Sequence, residues 1–243
     1  PDRVLTVDYL HCCSLGVCQV YLGFLSWELV EANCWSIPGP IDVRLSRSVT
    51  HLREELAEWY KSEARAGRMH SQVQCFSASM TGPRWAPCLG LQGAETNGII
   101  RFSLTLIKNH WRFLPSPRDH QLAAQALVES LDLIREYPTV FPNAAIQRYV
   151  DCAKVRLKAV VRLGIGLKPK HHLFAHIANR IRRQGSPAMW GTWHDEGLNS
   201  ELKKIAAHAH RLAWAARCLC NFEFTQGIEK GTKRRSSNNP RAG

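Results

Sequence analysis

Several motifs that would identify common enzyme classes are absent from this sequence. It contains no C-x-x-C pair, no Walker loop, no Rossmann glycine fingerprint and no G-x-S-x-G elbow. These absences argue against a zinc finger built on cysteines alone, nucleotide hydrolysis and serine esterase chemistry. The nine cysteines are an odd number without regular spacing, so they indicate no disulfide framework. We interpret most of them as buried thiols in a reducing compartment.

Long uninterrupted apolar runs are also absent. The longest, over residues 9–30, is broken by His11, Gln19 and Glu28, and each of these polar groups would be costly in hydrocarbon. We therefore expect no membrane partner. The chain begins at Pro1 without a charged and then apolar leader, so we expect no signal peptide and interpret the sequence as a fragment.

Acidic residues are scarce relative to basic ones. The 243 residues contain 32 Lys and Arg against 20 Asp and Glu, which gives a formal net charge of +12. Apolar residues make up 45%, a globular value that excludes wholesale disorder. The charge predicts a polyanionic partner, with nucleic acid favoured over an anionic membrane surface. A basic protein without such a partner is the simpler alternative.

The apolar pattern predicts a mainly α (α+β) protein with one early strand. Residues 2–8 form a β-favouring run, residues 38–40 read Pro-Gly-Pro, and residues 67–98 predict a long irregular loop. The tail from residue 230 is basic and predicted to be disordered. Helices are predicted over 14–31, 49–66, from about 99, over 119–137 with Asp119 as N-cap, and over 144–163, 171–183 and 195–220.

The first candidate site is the pair Asp8 and His11, at the junction of the predicted strand and the first helix. Residues three apart at such a junction can turn toward one metal ion or toward each other. The alternative interpretation is an Asp that caps the helix beside a hydrogen-bonded His.

The second candidate site is a group of histidines after Lys168 and Lys170. On a helix, His172 and His176 share a face at i, i+4, an arrangement that suits zinc or another transition metal. Two ligands need further ligands from elsewhere in the chain. The alternative is a set of surface histidines beside a lysine-rich turn.

The third candidate site lies on the last predicted helix, where Glu196, Asn199 and Lys203 line one face at i, i+3 and i+7. A carboxylate beside an amide and a cation suits a metal ion that bridges a phosphodiester. The alternative is a Glu in the first helical turn, favoured there by the helix dipole.

Together these motifs resemble those of eukaryotic cut-and-paste transposases of the DDE type. Asp8-x-x-His11 is similar to the C/D-x-x-H motif that follows their second catalytic Asp, and Glu196-x-x-Asn199 to the helix of their final Glu. Their RNase H-like fold is interrupted before that Glu by a large helical insertion. The resemblance implies a core piece at 1–37, an insertion at 38–166, the completing core at 167–222 and a basic tail at 223–243.

The resemblance also implies a structural zinc ion. The V(D)J recombinase and its transposon relatives hold zinc between the C/D-x-x-H region and an H-x4-H pair about 20 residues before the Glu. By that analogy the ligands are Asp8, His11, His171 and His176, with His176 20 residues before Glu196. His171 and His176 are about 140° apart on a regular helix, so His172 is a rival ligand. Cys12 and Cys13 are softer rivals of Asp8.

The activity implied by the resemblance is metal-dependent cleavage and transfer of DNA strands in the nucleus. Glu196 would be the third acidic ligand of two Mg²⁺ or Mn²⁺ ions. Only Asp2 precedes Asp8, so the two upstream Asp are missing and we expect this chain to be inactive. The residues expected to contact DNA are Lys168, Lys170, Asn199, Lys203, Lys233, Arg234 and Arg235. A non-catalytic helical nucleic-acid-binding or protein-interaction domain is the alternative function, and a homo-oligomer is compatible with the sequence.

Overall fold

The computed structural model describes residues 8–192, which are mainly helical and contain no β-strand. A π-helical segment, Leu10–Cys18, continues directly into α1, Gln19–Glu31. The other helices are α2 (Ile41–Arg65), α3 (Gly93–Asn109), α4 (Pro117–Glu136), α5 (Asn143–Arg162), α6 (Pro169–Gln184) and the short α7 (Pro187–Trp190), with a 3₁₀ turn at Ala78–Thr81. The prediction of a mainly α protein is confirmed. The predicted strand at 2–8, apart from its last residue, and the predicted helix at 195–220 lie outside the described residues.

The chain divides into two compact units, Pro1–Gly191 and Thr192–Gly243, and all of these helices belong to the first. The division after Gly191 falls within the segment 167–222 that the resemblance assigns to the core. The helices on either side of the proposed boundaries at 37/38 and 166/167 pack together within the first unit, so the contacts do not divide the chain at either place. These two boundaries stay predictions.

The continuous helix Leu10–Glu31 is the central element of this unit. It contacts α2, α3 and α6, and most of its side chains are buried. It is apolar around most of its circumference, as expected for a helix that neighbours cover on several sides. By length and hydropathy it would be long enough to cross a membrane, and 78% of its most apolar window is buried inside the fold.

Helices α3 to α6 follow one another as packed neighbours, each in contact with the next. The apolar faces predicted for α4 and α5 are the buried ones, as shown by Leu127 and Ile134 on α4 and by Ile146 and Val160 on α5. Gly164, with a φ of +73°, ends α5 in the left-handed region, where glycine carries no steric penalty. The predicted helix end at this glycine is therefore confirmed.

Helix α2 begins at Ile41, eight residues before the predicted start at Val49. Its buried positions begin only at Ser48, so the first two turns carry no apolar periodicity from which a helix could be inferred. Those turns start after Pro40 and include Asp42, whose carboxylate is favourable near the positive end of the helix dipole.

Asp119 is not the N-cap that the sequence predicts. Helix α4 begins at Pro117 with Ser116 at the N-cap, so Asp119 lies within the first turn. Proline is well suited to that first position because its missing N–H has no partner there. The Asp119 carboxylate instead accepts a hydrogen bond from Arg162 Nε at 2.7 Å and thereby links α4 to the end of α5.

The predicted loop at 67–98 is mostly confirmed, although α3 starts earlier, at Gly93. A capping box between Gln92 and Glu95 begins that helix. The loop before it is hydrogen-bonded to the central helix: Leu89 N donates to Gln19 O at 2.9 Å and Gln19 Nε2 donates to Leu91 O at 2.5 Å. These bonds fix the irregular chain against α1.

Candidate functional site

The π-helical segment and the start of α6 bring two of the predicted sites near each other. Cys12 Sγ lies 3.4 Å from Lys170 O, across 158 residues of sequence. Lys170 Nζ donates to Leu15 O at 3.2 Å, so each segment donates a hydrogen bond to the other. The segment that follows Asp8-x-x-His11 and the helix of the histidine cluster are therefore packed together, and we call this contact the motif junction.

Asp8 accepts hydrogen bonds from the first turn of the helix that follows it. Its carboxylate oxygens accept from Leu10 N at 3.1 Å and from His11 N at 3.3 Å, and His11 Nδ1 contacts the same carboxylate. This arrangement is the helix-capping alternative drawn from the sequence. It also orients the His11 ring beside a carboxylate at a partly exposed position.

His171 is buried within the fold, with 2% of its surface exposed. Its Nδ1 accepts a hydrogen bond from Arg156 Nη1 at 3.1 Å. Because a guanidinium can only donate, the imidazole proton must be on Nε2. Burial, followed by the charges of Arg156 and Lys168, lowers the pKa of His171 to about 4, so the ring is neutral at pH 7.

His172 and His176 form a pair on the exposed side of α6. Their Nε2 atoms are 3.0 Å apart and their ring centroids 4.3 Å apart. The separation is close to that of two nitrogens bound to one zinc ion at about 2.0–2.1 Å each. The i, i+4 spacing thus produces the contact that helical geometry predicts.

These positions decide how the implied zinc ion fits the histidine cluster. His172 and His176 are exposed and have ring nitrogens side by side, whereas His171 Nδ1 is engaged by Arg156. His172 therefore fits a metal ion better than His171. Within residues 8–192 no group of three or more His, Cys, Asp or Glu side chains lies close enough to hold a metal ion. The zinc site formed by Asp8, His11 and the histidines stays a prediction.

The cysteine rivals of Asp8 are directed elsewhere. Cys12 is buried against the Lys170 carbonyl, while Cys13 Sγ lies 3.9 Å from Cys18 Sγ in the core. Burial raises the pKa of the Cys12 thiol to about 12, which makes it a poor ligand at neutral pH.

Arg156 is a buried charge that sequence reasoning missed. It is 1% exposed, and its guanidinium carbon lies 4.7 Å from the centroid of the Phe174 ring. Its Nε and Nη2 have no hydrogen-bond partner within the described part of the chain, and burial lowers its pKa. One signal in the sequence marks it: Tyr149, Cys152, Arg156 and Val160 fall on one helical face, so the arginine occupies an otherwise uncharged stripe.

Glutamate–histidine pairs elsewhere in the fold join helices. Glu55 of α2 accepts hydrogen bonds from Trp35 Nε1 at 2.9 Å, from His110 Nε2 at 2.8 Å and from Asn109 Nδ2 at 3.2 Å. Burial alone raises the pKa of the Glu55 carboxyl, but these hydrogen bonds outweigh it and the net direction is downward. Similarly, Glu28 contacts the buried His120. His110 and His120 therefore have a structural role in these contacts between helices.

Lys168 is an exposed cation just before α6. A pocket of about 250 Å³ beside it is also lined by Arg84, Trp85 and residues 164–166. Trp85 is 87% exposed, an unusual position for so large an apolar ring. Lys170, the other lysine predicted here, has its ammonium bonded to the Leu15 carbonyl at the motif junction.

The remaining predicted site residues lie outside the described part of the chain. They are Glu196, Asn199, Lys203, Lys233, Arg234 and Arg235. Comparisons with protein-family models, with curated proteins and with solved structures find no match to this chain.

Proposed function

We propose that this chain is the C-terminal part of a transposase-like or transposase-derived DNA-binding protein. The observation that supports the proposal most is the motif junction. It places the segment after Asp8-x-x-His11 against the helix of His172 and His176, although helices α2 to α5 separate them along the chain. An RNase H-like core interrupted by a helical insertion requires this return of the chain to its starting point.

In this proposal, catalysis belongs to the parental enzyme. Glu196 would supply one carboxylate to Mg²⁺ or Mn²⁺ for cleavage and transfer of DNA strands in the nucleus, and the partner Asp residues are expected upstream. What this chain itself would retain is the binding of DNA. Its +12 charge and the exposed side chain of Lys168 suit the phosphate backbone.

A salt titration of binding to a DNA duplex tests this proposal. We expect log affinity to fall linearly with log salt concentration, and Lys168→Ala to reduce the slope by about 0.9 if Lys168 neutralises one phosphate. Lys61→Ala is the matched control, because Lys61 is likewise exposed, on α2, but is paired with Glu58 at 2.7 Å. It should leave the slope unchanged.

Two other outcomes of that titration would change the proposal. Absence of binding at roughly 50 mM salt, where electrostatic attraction is strong, would contradict it. Strand cleavage by this chain alone, lost in Glu196→Ala, would also change it, because the proposal leaves only DNA binding to these residues.

We further propose that a zinc ion, if bound, is held by His172 and His176 together with Asp8 and His11. When bound, zinc would cross-link the two segments of the motif junction and supply no chemistry beyond that. The check is the metal content of the purified chain. Near-stoichiometric zinc should disappear in a His172→Ala/His176→Ala double variant and remain in His171→Gln, whose amide oxygen can still accept from Arg156. Disappearance of zinc in His171→Gln alone would instead favour His171 and His176 as the histidine ligands. A wild-type chain without metal would contradict the proposed zinc site.

A further inference from the structure

Cys13 and Cys18 form a pair of thiols in the core, within the π-helical segment. Both are fully buried, and their Sγ atoms are 3.9 Å apart. Neither is needed by the proposed DNA-binding or zinc sites. Two thiols in van der Waals contact have only a short distance to travel before a disulfide bond of about 2.0 Å can form.

The π-helix is the reason these two cysteines meet. They are five residues apart, which on a regular α-helix would separate them by about 140° around the axis. In a π-helix the backbone bonds join residues i and i+5, so the wider turn brings residues five apart closer to the same side of the helix than an α-helix does. Single π-helical turns are uncommon and often occur at functional positions.

We propose that Cys13 and Cys18 are a modification site, at which a small peroxide oxidises the pair to a reversible intrahelical disulfide. One cysteine sulfur attacks a peroxide oxygen, the O–O bond breaks, and a sulfenic acid and water are formed. The second cysteine sulfur then displaces that hydroxyl as water and forms the S–S bond. Overall, two thiols and one hydrogen peroxide give one disulfide and two waters, and the two electrons come from the sulfurs.

Burial selects the oxidant and the product. Hydrogen peroxide is nearly as small as water and can enter during local opening of the helix, whereas larger disulfide oxidants such as glutathione disulfide are excluded. Inside the core, the sulfenic acid is next to a resolving thiol, so further oxidation by peroxide competes poorly. Cys75, which is exposed, has no such protection.

The modification would be transmitted to the motif junction. Cys12, next to Cys13, contacts Lys170 O of α6 at 3.4 Å, so any shift of this helical turn on disulfide formation reaches α6. The inference is independent of the proposed function, because it rests on the thiol pair and not on any DNA or metal contact.

The experiment treats the full chain with hydrogen peroxide and then maps its cysteines by mass spectrometry. Cleavage with chymotrypsin after Leu15 separates Cys13 from Cys18, so the two peptides stay joined only if the disulfide has formed. We expect a joined pair with the loss of two hydrogens, which dithiothreitol separates again. Cys12→Ser is the matched control: it changes the adjacent buried cysteine, whose sulfur faces α6, and should retain the joined peptides.

Substitution of either cysteine of the pair provides the second part of the test. Cys13→Ser and Cys18→Ser should each abolish the joined peptides, and Cys13→Ala and Cys18→Ala repeat the test with an apolar replacement. Circular dichroism establishes that each variant is folded. If Cys75 is oxidised in the wild type while Cys13 and Cys18 stay unlinked, or if linkage appears only after unfolding in urea, the proposal is overturned.

Discussion

The burial of His171, together with the neighbouring charge of Arg156, makes the stability of the fold depend on pH. In the unfolded chain the pKa of a histidine is about 6.5, whereas in the fold the pKa of His171 is about 4. Between these values the unfolded chain binds more protons at His171, so the free energy of unfolding falls as the pH falls from about 6.5 to about 4. A pKa difference of this size corresponds to a decrease in the free energy of unfolding of up to about 3 kcal/mol.

His171→Gln isolates this contribution, because glutamine does not titrate and its amide oxygen can accept from Arg156. Urea denaturation at several pH values between about 4 and 7 should give a shallower pH dependence for the variant than for the wild type. Equal slopes would show that His171 does not carry the dependence and that other groups, such as the carboxylates, account for it.

The contrast between His171 and its neighbours shows what the sequence could predict at a single residue. Helical spacing was sufficient to predict that His172 and His176 share a face. It could not predict that His171 is buried against Arg156, because that contact joins α5 to α6 and depends on how the helices pack. The H-x4-H ligand assignment rested on resemblance, and the position of His171 now favours His172.

Gly23 sets the distance between α1 and the loop that crosses it. A Cβ atom at this position would lie 2.7 Å from Cys88 Cα and 2.8 Å from Pro87 C. Both atoms belong to the backbone of a loop that is hydrogen-bonded to α1, so neither can move freely. Gly23→Ala should therefore lower the free energy of unfolding by about 1–3 kcal/mol, even though alanine favours helix by up to about 1 kcal/mol.

Gly90→Ala is the control for that substitution in the same loop. A Cβ atom there would meet only Met80 O, at an ordinary 3.7 Å, so the variant should unfold within about 0.5 kcal/mol of the wild type. Urea denaturation of both variants gives the comparison. If Gly23→Ala were as stable as Gly90→Ala, the loop would not be held as closely against α1 as its hydrogen bonds indicate.

The helices themselves could be predicted wherever a buried face is long. The pattern in α5 predicted its bounds within one residue, from Ala144–Leu163 to the observed Asn143–Arg162. Two helix starts were missed because their first turns carry no large apolar side chain at a buried position: burial in α2 begins only at Ser48, and the buried residues in the first turn of α3 are Gly93 and Thr96. The π-helical segment was not predicted, since nothing local distinguishes it from an apolar α-helix.

For the whole chain, sequence reasoning predicted the mainly helical class and proposed that distant segments meet. The motif junction agrees with the second idea at the level of helices, yet the predicted ligands do not gather into one group within residues 8–192. Whether side chains from distant segments meet depends on how each helix is rotated about its axis and on which side chains are buried, and the spacing of residues in the sequence does not determine either. The region of Glu196 lies outside the described residues, so the catalytic part of the resemblance stays a prediction.

The division of the chain after Gly191 predicts that the first unit folds alone. The end of this unit is held by hydrogen bonds within the unit: Ser186 N donates to Thr139 O at 3.0 Å, Trp190 Nε1 to Gly185 O at 3.2 Å and Gly191 N to Pro187 O at 2.8 Å. A chain truncated after Gly191 should therefore keep its helical circular dichroism and a single cooperative urea transition. A broad transition would instead mean that the two units share their stability.

The same truncation divides the DNA-binding charge between the two units. It removes Lys203, Lys233, Arg234 and Arg235 but retains Lys168 and its surroundings. If the removed cations bind phosphate, the slope of log affinity against log salt should become shallower by about 0.9 for each phosphate that they neutralise, while Lys168→Ala should still reduce it further. An unchanged slope in a cooperatively folded truncated chain would place the whole DNA-binding surface on residues 1–191, and complete absence of binding would place it beyond them.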